Sequence, residues 1–315
     1  MSKVVVTGSD GFVGKSLTEM LEFAGHQVLP LARAQLALGE RQIFNPPVES
    51  AMRDAQAVVH LAARAHVTRE TYDDPLGEFR RVNLNGTLAI AEMAARTGVA
   101  RLVFVSSIGV LGNASGSRTF NEGDVPSPQE PYAVSKWEAE QALHALAANC
   151  ALQIVVVRPP LVYGPHVKGN FLRLLRLVGS GMPLPFGAIE NSRSYIGVRN
   201  LCEFLISCAF HPSANDRTFH VSDGEDVSTP ELLQLIATAM GKRARLFRCP
   251  ASLLRAAAIA LRKGSELDRL TANLRVDSTL ARNTLGWRPA VDLRAGIVEM
   301  VRSFAGQSDI PGSNK

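Results

Sequence analysis

Val4-Val5-Val6-Thr7-Gly8-Ser9-Asp10-Gly11-Phe12-Val13-Gly14 opens the chain as a buried strand, followed by three glycines at three-residue spacing and then a helix. Leu17, Met20, Leu21 and Ala24 keep helical spacing after the last glycine, which predicts a helix near 12–24. Glycines suit a tight turn in which backbone closes on a pyrophosphate, while the helix N-terminus supplies amide donors and a favourable dipole. A bare glycine triplet is weak evidence, and a purely structural turn is its plainer explanation. Here a strand precedes it and a helix follows, the context that dinucleotide binding requires.

Working outward, strands are expected at about 3–7, 27–31, 41–44, 56–61, 101–106 and 153–157, with helices near 12–24, 78–97 and 133–148 between several of them. Such alternation implies an α/β fold, a Rossmann-type doubly wound parallel sheet with helices on both faces. Pro and Gly cluster at 159–169 and 181–187, around a helix near 170–180, and mark the change to a smaller C-terminal α/β lobe for substrate. The expected division is 1–165 plus about 197–221 for the dinucleotide domain, 166–196 plus about 222–305 for the second lobe, and a fraying tail over 306–315. A strand near 218–221 returns to the main sheet, and helices near 228–240, 251–262 and 293–304 make most of the remainder. The helix at 251–262 is apolar and ends in basic residues. Packing on the small lobe is its expected role, and peripheral contact with a membrane is the alternative.

At 315 residues, 46% hydrophobic and 20% charged, the chain can bury a full core and has an ordinary globular composition. It enters a core strand at once, so no signal peptide is expected, and no apolar run in it is long enough to cross a bilayer. Cys150, Cys202, Cys208 and Cys249 show no metal-type spacing, so reduced thiols in a cytoplasmic protein and no metal are expected. The formal charge of +5 is scattered, with no aromatic-interleaved basic stretch, so nucleic acid is not expected. A mild positive balance suits anionic ligands, though it serves solubility equally well.

Tyr132 and Lys136 stand four apart, on one face of a predicted helix. A phenol has a pKa of about 10 and is a poor base at neutral pH. A fixed ammonium beside it favours the phenolate, so Lys136 is expected to lower the Tyr132 pKa and make it an acid/base near neutrality. Such a pair also arises by chance on an exposed helix.

Six motifs occur in one order: Thr7-Gly8 through Gly14, His60-Leu61-Ala62-Ala63, Asn83 to Thr87, Val105-Ser106-Ser107, Tyr132 with Lys136, and Arg158-Pro159 through Val162-Tyr163-Gly164-Pro165. From about residue 3 to about 305 they resemble the extended branch of the short-chain dehydrogenase/reductases, the NAD(P)-dependent nucleotide-sugar epimerases, dehydratases and reductases. The resemblance implies cofactor contacts from Gly8, Asp10, Gly11, Phe12, Val13, Gly14, Leu61, Ala62, Ala63, Asn83, Tyr132, Lys136 and Pro159. It also implies Tyr132 as proton partner, Lys136 gripping the nicotinamide ribose, and Ser107, rather than the structural Ser106, as the hydrogen-bond donor. His60, on an apolar strand, reads as structural. In relatives an acid after the second strand holds the ribose hydroxyls of NAD. Here Ala32 and Arg33 stand there, so NADP(H) is preferred and NAD(H) remains possible. Asn45 replaces an aspartate near adenine.

Relatives that eliminate water carry an Asp-Glu pair where this chain has Ile108-Gly109, so dehydration is disfavoured. Chemistry at one carbon is left. The resemblance points to reduction at C4 of a UDP-4-keto-6-deoxy-N-acetylhexosamine in surface-polysaccharide biosynthesis, with a UDP-hexose or UDP-N-acetylhexosamine 4-epimerase as the enzyme alternative. A non-catalytic dinucleotide sensor is the alternative of another class. Arg193 and Asn170 match positions that contact the diphosphate and the sugar nucleotide of a UDP-sugar, alongside Ser107 and Tyr132. A helix N-cap explains Asn170 nearly as well. Tyr163 reads as structural, and a homodimer is a family expectation.

Overall fold

The computed structural model describes residues 1–32, 36, 46–65, 72–261 and 264–308. Six parallel strands form the main sheet: β1 (Lys3–Thr7), β2 (Gln27–Leu31), β3 (Ala57–His60), β4 (Arg101–Val105), β5 (Gln153–Arg158) and β8 (Thr218–His220), in the order β2-β1-β3-β4-β5-β8. β1 explains why the sheet must be covered on both faces: Val4, Val5 and Val6 alternate sides, and all three are buried. Val4 and Val6 pack with Leu17 and Leu21 of α1 (Phe12–Phe23) and with Leu201, Phe204 and Leu205 of α7 (Val198–Phe210). Val5 packs on the other face with Ile90 and Met93 of α4 (Gly86–Arg96) and with Ala139 and Leu143 of α5 (Pro131–Ala147). The doubly wound α/β expectation is met.

Pro30 lies within β2, which the order places at the sheet edge, where a missing N–H is tolerated. The strand expected at 41–44 lies outside the described residues, as do Arg33 and Asn45. Where one helix near 78–97 is expected, α3 (Pro75–Phe79) leads through a π-helical turn at Arg80–Asn85 into α4. A short α2 (Pro46–Met52) precedes β3, and a small parallel pair, β6 (Leu161–Tyr163) with β7 (Tyr195–Gly197), follows β5.

A third cluster holds the C-terminal elements. Phe171, Leu174, Leu175 and Val178 put one face of α6 (Gly169–Gly179) against Leu232, Leu233 and Ile236 of α8 (Thr229–Ala239) and Leu293, Ile297 and Met300 of α12 (Leu293–Ser308). Ser228 and Glu231 cap α8 reciprocally, satisfying two orphan donors of its first turn. α12 runs on to Ser308, into the stretch expected to fray.

Two further helices, α10 (Gly264–Thr271) and α11 (Thr279–Leu285), are too short for the period to register. Ala281, Leu285 and Trp287 join the core on the α1 face of the sheet, although they lie in the sequence span expected to form the second lobe. The helix expected at 251–262 is α9 (Ala251–Ala260), and here the structure corrects the sequence reading. Among its described side chains only Ala258 is buried, so α9 is not packed into the small lobe.

One buried carboxylate joins distant parts of the chain. Asp223 accepts from the Tyr163 hydroxyl at 2.7 Å, the Gly197 amide at 3.0 Å and Asn200 Nδ2 at 2.7 Å. Asn200 in turn accepts from the amides of Ala290 and Val291. Tyr163 and Asn200 thus tie the segments of the fold together.

Candidate active site

The carboxyl ends of β1 and β3 meet at the point where strand order reverses, the usual ligand crevice of such sheets. Gly8 leaves β1 with φ +70°, and a Cβ on it would lie 2.8 Å from the Ala62 amide. A Cβ on Gly14 would lie 2.2 Å from the Gly8 carbonyl oxygen. Gly14→Ala should therefore cost about 3 kcal/mol, the upper end of ordinary overpacking, because backbone meets backbone. Urea unfolding measures it, and a loss below about 0.5 kcal/mol would show that the turn relaxes freely.

Gly11 is the N-cap of α1. It offers no side-chain cap, and the first turn carries no acid, so no side chain competes for its amides. Phe12 and Val13 pack partly on the core, and Asp10 is exposed in the turn. Leu61, Ala62 and Ala63 follow β3 directly; the Leu61 amide bonds the Thr7 carbonyl, and the Ala62 amide bonds Thr7 Oγ1. Gly8 and Ala62 thus bring the two turns into close backbone contact.

Beneath them runs a polar chain with one consistent proton order. Thr87 donates to the Asn83 carbonyl at 2.6 Å, so Thr87 Oγ1 accepts from His60 Nε2 at 3.0 Å. His60 Nδ1 then accepts from Thr7 at 2.7 Å, and Thr7 accepts from Ala62. His60 is fully buried. Burial first, and the Lys136 charge second, bring its pKa down to about 3. His220 falls to about 4, through burial and then Arg158. Rings kept neutral in the fold but protonated in the unfolded chain make stability fall as pH drops from 6.5 toward these values. The slope is roughly 1.4 kcal/mol per pH unit for each ring. Two of the seven histidines should therefore show no NMR titration between about pH 5 and 8.

Asn83 sits in the π-helical turn, buried, and ties three segments. Its Oδ1 accepts from the Arg64 amide at 2.7 Å, and its Nδ2 donates to the Arg64 carbonyl and to Ser135 Oγ. Ser135 donates to the Tyr132 carbonyl, so Asn83 locates the start of α5 against the β3 loop. Asn83 is therefore a buried tie and not a helix-surface residue.

Ser107 caps the 3₁₀ turn Ile108–Leu111. Its Oγ accepts from the Gly109 amide at 3.1 Å, which leaves the hydroxyl proton free to be donated outward. A Cβ on Gly109 would lie 3.3 Å from Ser107 Oγ and 3.7 Å from Ala133 Cβ, so Ser107 and the Tyr132-Ala133 end of α5 flank the same small residue. The Ile108 amide bonds the Pro159 carbonyl at 3.0 Å, which brings Pro159 to this corner. The Ile108 side chain points into an apolar cluster with Val110, Leu111 and Phe120. Neither 108 nor 109 offers a proton.

Tyr132 is half-buried, and desolvation pushes its phenol up to about 12. The expectation that Lys136 lowers it is not met. Lys136 is itself brought down to about 7 by burial, against the pull of Glu140, so near neutrality it carries only part of a charge. Its Nζ lies 3.9 Å from the centre of the Phe104 ring and has no hydrogen-bond partner among the described residues. Its hydrogen-bonding capacity is thus not taken up by any described residue.

Four residues beyond Lys136 lies a pair that sequence reading missed. Glu140 and Arg158 form a buried ion pair at 2.5 Å, with side chains 0% and 5% exposed. Ser106 donates to Glu140, which bears out its structural reading. The spacing from Lys136 is the only sequence signal for Glu140, and nothing local marks its partner 18 residues on.

The outer candidates lie elsewhere. Arg193 bridges the backbones of Val227 and Leu274, and its Nη1 donates to the Ala272 carbonyl at 2.8 Å. Burial lowers its pKa, opposed by Tyr195. Asn170 is exposed near the start of α6. Lys168 holds the N-cap position there without a side-chain cap, so capping does not account for Asn170. Arg269 of α10 pairs with Glu130, immediately before α5. The four cysteines are unpaired, and no cluster that could hold a metal occurs among the described residues.

The parallel sheet with its strand order, and the glycine turn after β1, are those of an extended short-chain dehydrogenase/reductase. The chain belongs to the NAD dependent epimerase/dehydratase family, whose sequence profile matches residues 4–222. It is 37% identical to a UDP-glucose 4-epimerase of Vibrio cholerae, over 96% of this chain and 95% of the other. It is also 27% identical to a GDP-6-deoxy-D-mannose reductase of Pseudomonas aeruginosa, over 94% of each. A solved structure of MoeE5 in complex with UDP-glucose and NAD superposes with a TM-score of 0.78 at 26% identity, covering 98% of this chain and 100% of that one.

Proposed function

We propose that this enzyme reduces a ketone at C4 of a UDP-sugar, of the UDP-4-keto-6-deoxy-N-acetylhexosamine class, in surface-polysaccharide biosynthesis. One observation supports the reading: two hydroxyls, on segments that flank Gly109, are each in a state to donate. Ser107 has its oxygen engaged by the Gly109 amide and its proton free, and burial keeps Tyr132 protonated. Ketone reduction needs a proton donor and a polarising hydrogen bond on the same oxygen. A bound nicotinamide would supply the hydride. Tyr132 gives its proton to the forming alkoxide while Ser107 holds that oxygen. Lys136 grips the nicotinamide ribose, with Asn83 and Pro159 framing it and Gly8, Gly11 and Gly14 admitting the pyrophosphate. Arg193, able to pair phosphate bidentately, takes the UDP diphosphate, and Asn170 meets the nucleotide sugar.

The absence of a carboxylate after β2, with Ala32-Arg33 in its place, favours NADPH. Residues 1–165 with about 197–221 carry the cofactor, the second lobe carries the sugar nucleotide, and the working form is a cytoplasmic homodimer.

A 4-epimerase is the second reading, favoured by the Vibrio cholerae relative. Its first half-reaction needs a base, which a phenol raised to about 12 supplies poorly until a ligand alters its surroundings. The deciding experiment mixes enzyme, NADPH and a UDP-4-keto-6-deoxysugar and follows reduced-cofactor absorbance. Stoichiometric loss is expected. No loss, together with interconversion of UDP-GlcNAc and UDP-GalNAc without added cofactor, makes it the epimerase.

A further inference from the structure

We propose that helix α9 and the basic segment leading into it form a docking surface for an anionic lipid bilayer. Nine large apolar side chains are exposed among the described residues, and four of them fall within 247–261: Phe247, Leu253, Ile259 and Leu261. The last three are 62%, 64% and 69% exposed, far more than a helix packed on its own lobe would show. The charge around them has one sign. No Asp or Glu occurs between Glu231 and Glu266, while Lys242, Arg243, Arg245, Arg248, Arg255, Arg262 and Lys263 do. Arg243, Arg245, Arg248 and Arg255 are exposed and form no ion pair among the described residues. Glu266, the first acid beyond the segment, is engaged with Arg173.

The surface is held by the fold. The Leu184 amide bonds the Arg245 carbonyl at 2.8 Å, and the Phe247 amide bonds the Leu184 carbonyl at 3.0 Å, which fixes Phe247 at the edge of the second lobe. Apolar side chains among arginines, on a helix of ten residues, suit insertion at the headgroup boundary rather than spanning. No helix among the described residues is long and apolar enough to cross a membrane. A second copy of this chain is a poor occupant, since two-fold symmetry would set one basic patch against its equal. Anionic headgroups with acyl chains beneath match both the charge and the apolar side chains.

Sedimentation of the full chain with vesicles tests this, comparing phosphatidylcholine mixed with phosphatidylglycerol against phosphatidylcholine alone. The protein should sediment with the anionic vesicles at low salt and be released at high salt. Leu253→Ser with Ile259→Ser, and separately Arg248→Gln with Arg255→Gln, should each lower the vesicle partition coefficient by about tenfold or more. Circular dichroism, Tm and turnover of a water-soluble substrate should be unchanged, because all four side chains are exposed and outside the proposed site. Failure of the parent protein to sediment overturns the proposal, as does equal sedimentation by both double variants. A concentration-dependent dimer that Leu253→Ser with Ile259→Ser abolishes, without vesicle binding, also overturns it and assigns the face to a second copy.

Discussion

Tyr132→Phe should lower turnover by about 10²–10⁴-fold while leaving dinucleotide affinity nearly unchanged. The variant keeps the ring that packs edge-on to Phe79 at 6.1 Å and removes only the hydroxyl, so the fold has no reason to respond. The Tyr132 carbonyl still accepts from Ser135, which preserves the tie to Asn83. Single-turnover kinetics with NADPH, beside fluorescence titration of NADPH binding, separates the two effects. Turnover within about tenfold of the parent would take the phenol out of the chemistry and revive the dinucleotide-sensor alternative. The pH profile adds a second check. A phenol at about 12 stays protonated throughout the neutral range, whereas Lys136 at about 7 loses its charge there. In the reductive direction kcat/KM, which reports the free enzyme, should therefore decline as pH rises through about 7.

Arg158→Met should cost about 3–5 kcal/mol, a sizeable fraction of the stability of a typical domain. Glu140 is fully buried, and its carboxylate accepts from Arg158 Nε at 3.1 Å and from Arg158 Nη2 at 2.5 Å. Without the guanidinium it must either remain charged with only Ser106 and the nearby Lys136 to compensate, or take up a proton. Adding Glu140→Leu should recover much of the loss, because replacing both partners by apolar groups removes the stranded charge. Urea denaturation of the parent, the two single variants and the double variant closes the cycle. A double variant no more stable than Arg158→Met alone would mean that packing of the arginine against Trp137, rather than charge pairing, carries the cost. The Lys136 environment should change with Glu140, so NADPH affinity in Glu140→Gln reports whether the pair also sets the lysine's charge.

The readable parts were local and rhythmic. One strand, its glycine turn and the first turns of a helix occupy residues 3–23, so their order in sequence is their order in space. Tyr132 and Lys136 share a helix face by arithmetic alone. What escaped depends on packing. Glu140 meets Arg158 because α5 lies across β5, and Asn83 meets Arg64 because of the extra residue per turn at Arg80–Asn85. The direction of the Tyr132 shift is set by burial, which a four-residue spacing cannot convey. Hydrophobicity misled at α9, where apolar side chains read as core yet face outward. The short α10, α11, β6 and β7 offer too few residues for a period to rise above background.

The Asp223 carboxylate has a bearing on how this chain can be divided. The family profile ends at Ser222, one residue before the acid that gathers Tyr163, Gly197 and Asn200. A fragment stopping there would strand three donors and strip Ala281, Leu285 and Trp287 from the hydrophobic wall they complete. Excision of the nucleotide-binding half as a free-standing module should therefore yield an aggregating polypeptide. Recombination with a foreign C-terminal half would succeed only if the donor brought an equivalent carboxylate and an indole or its match.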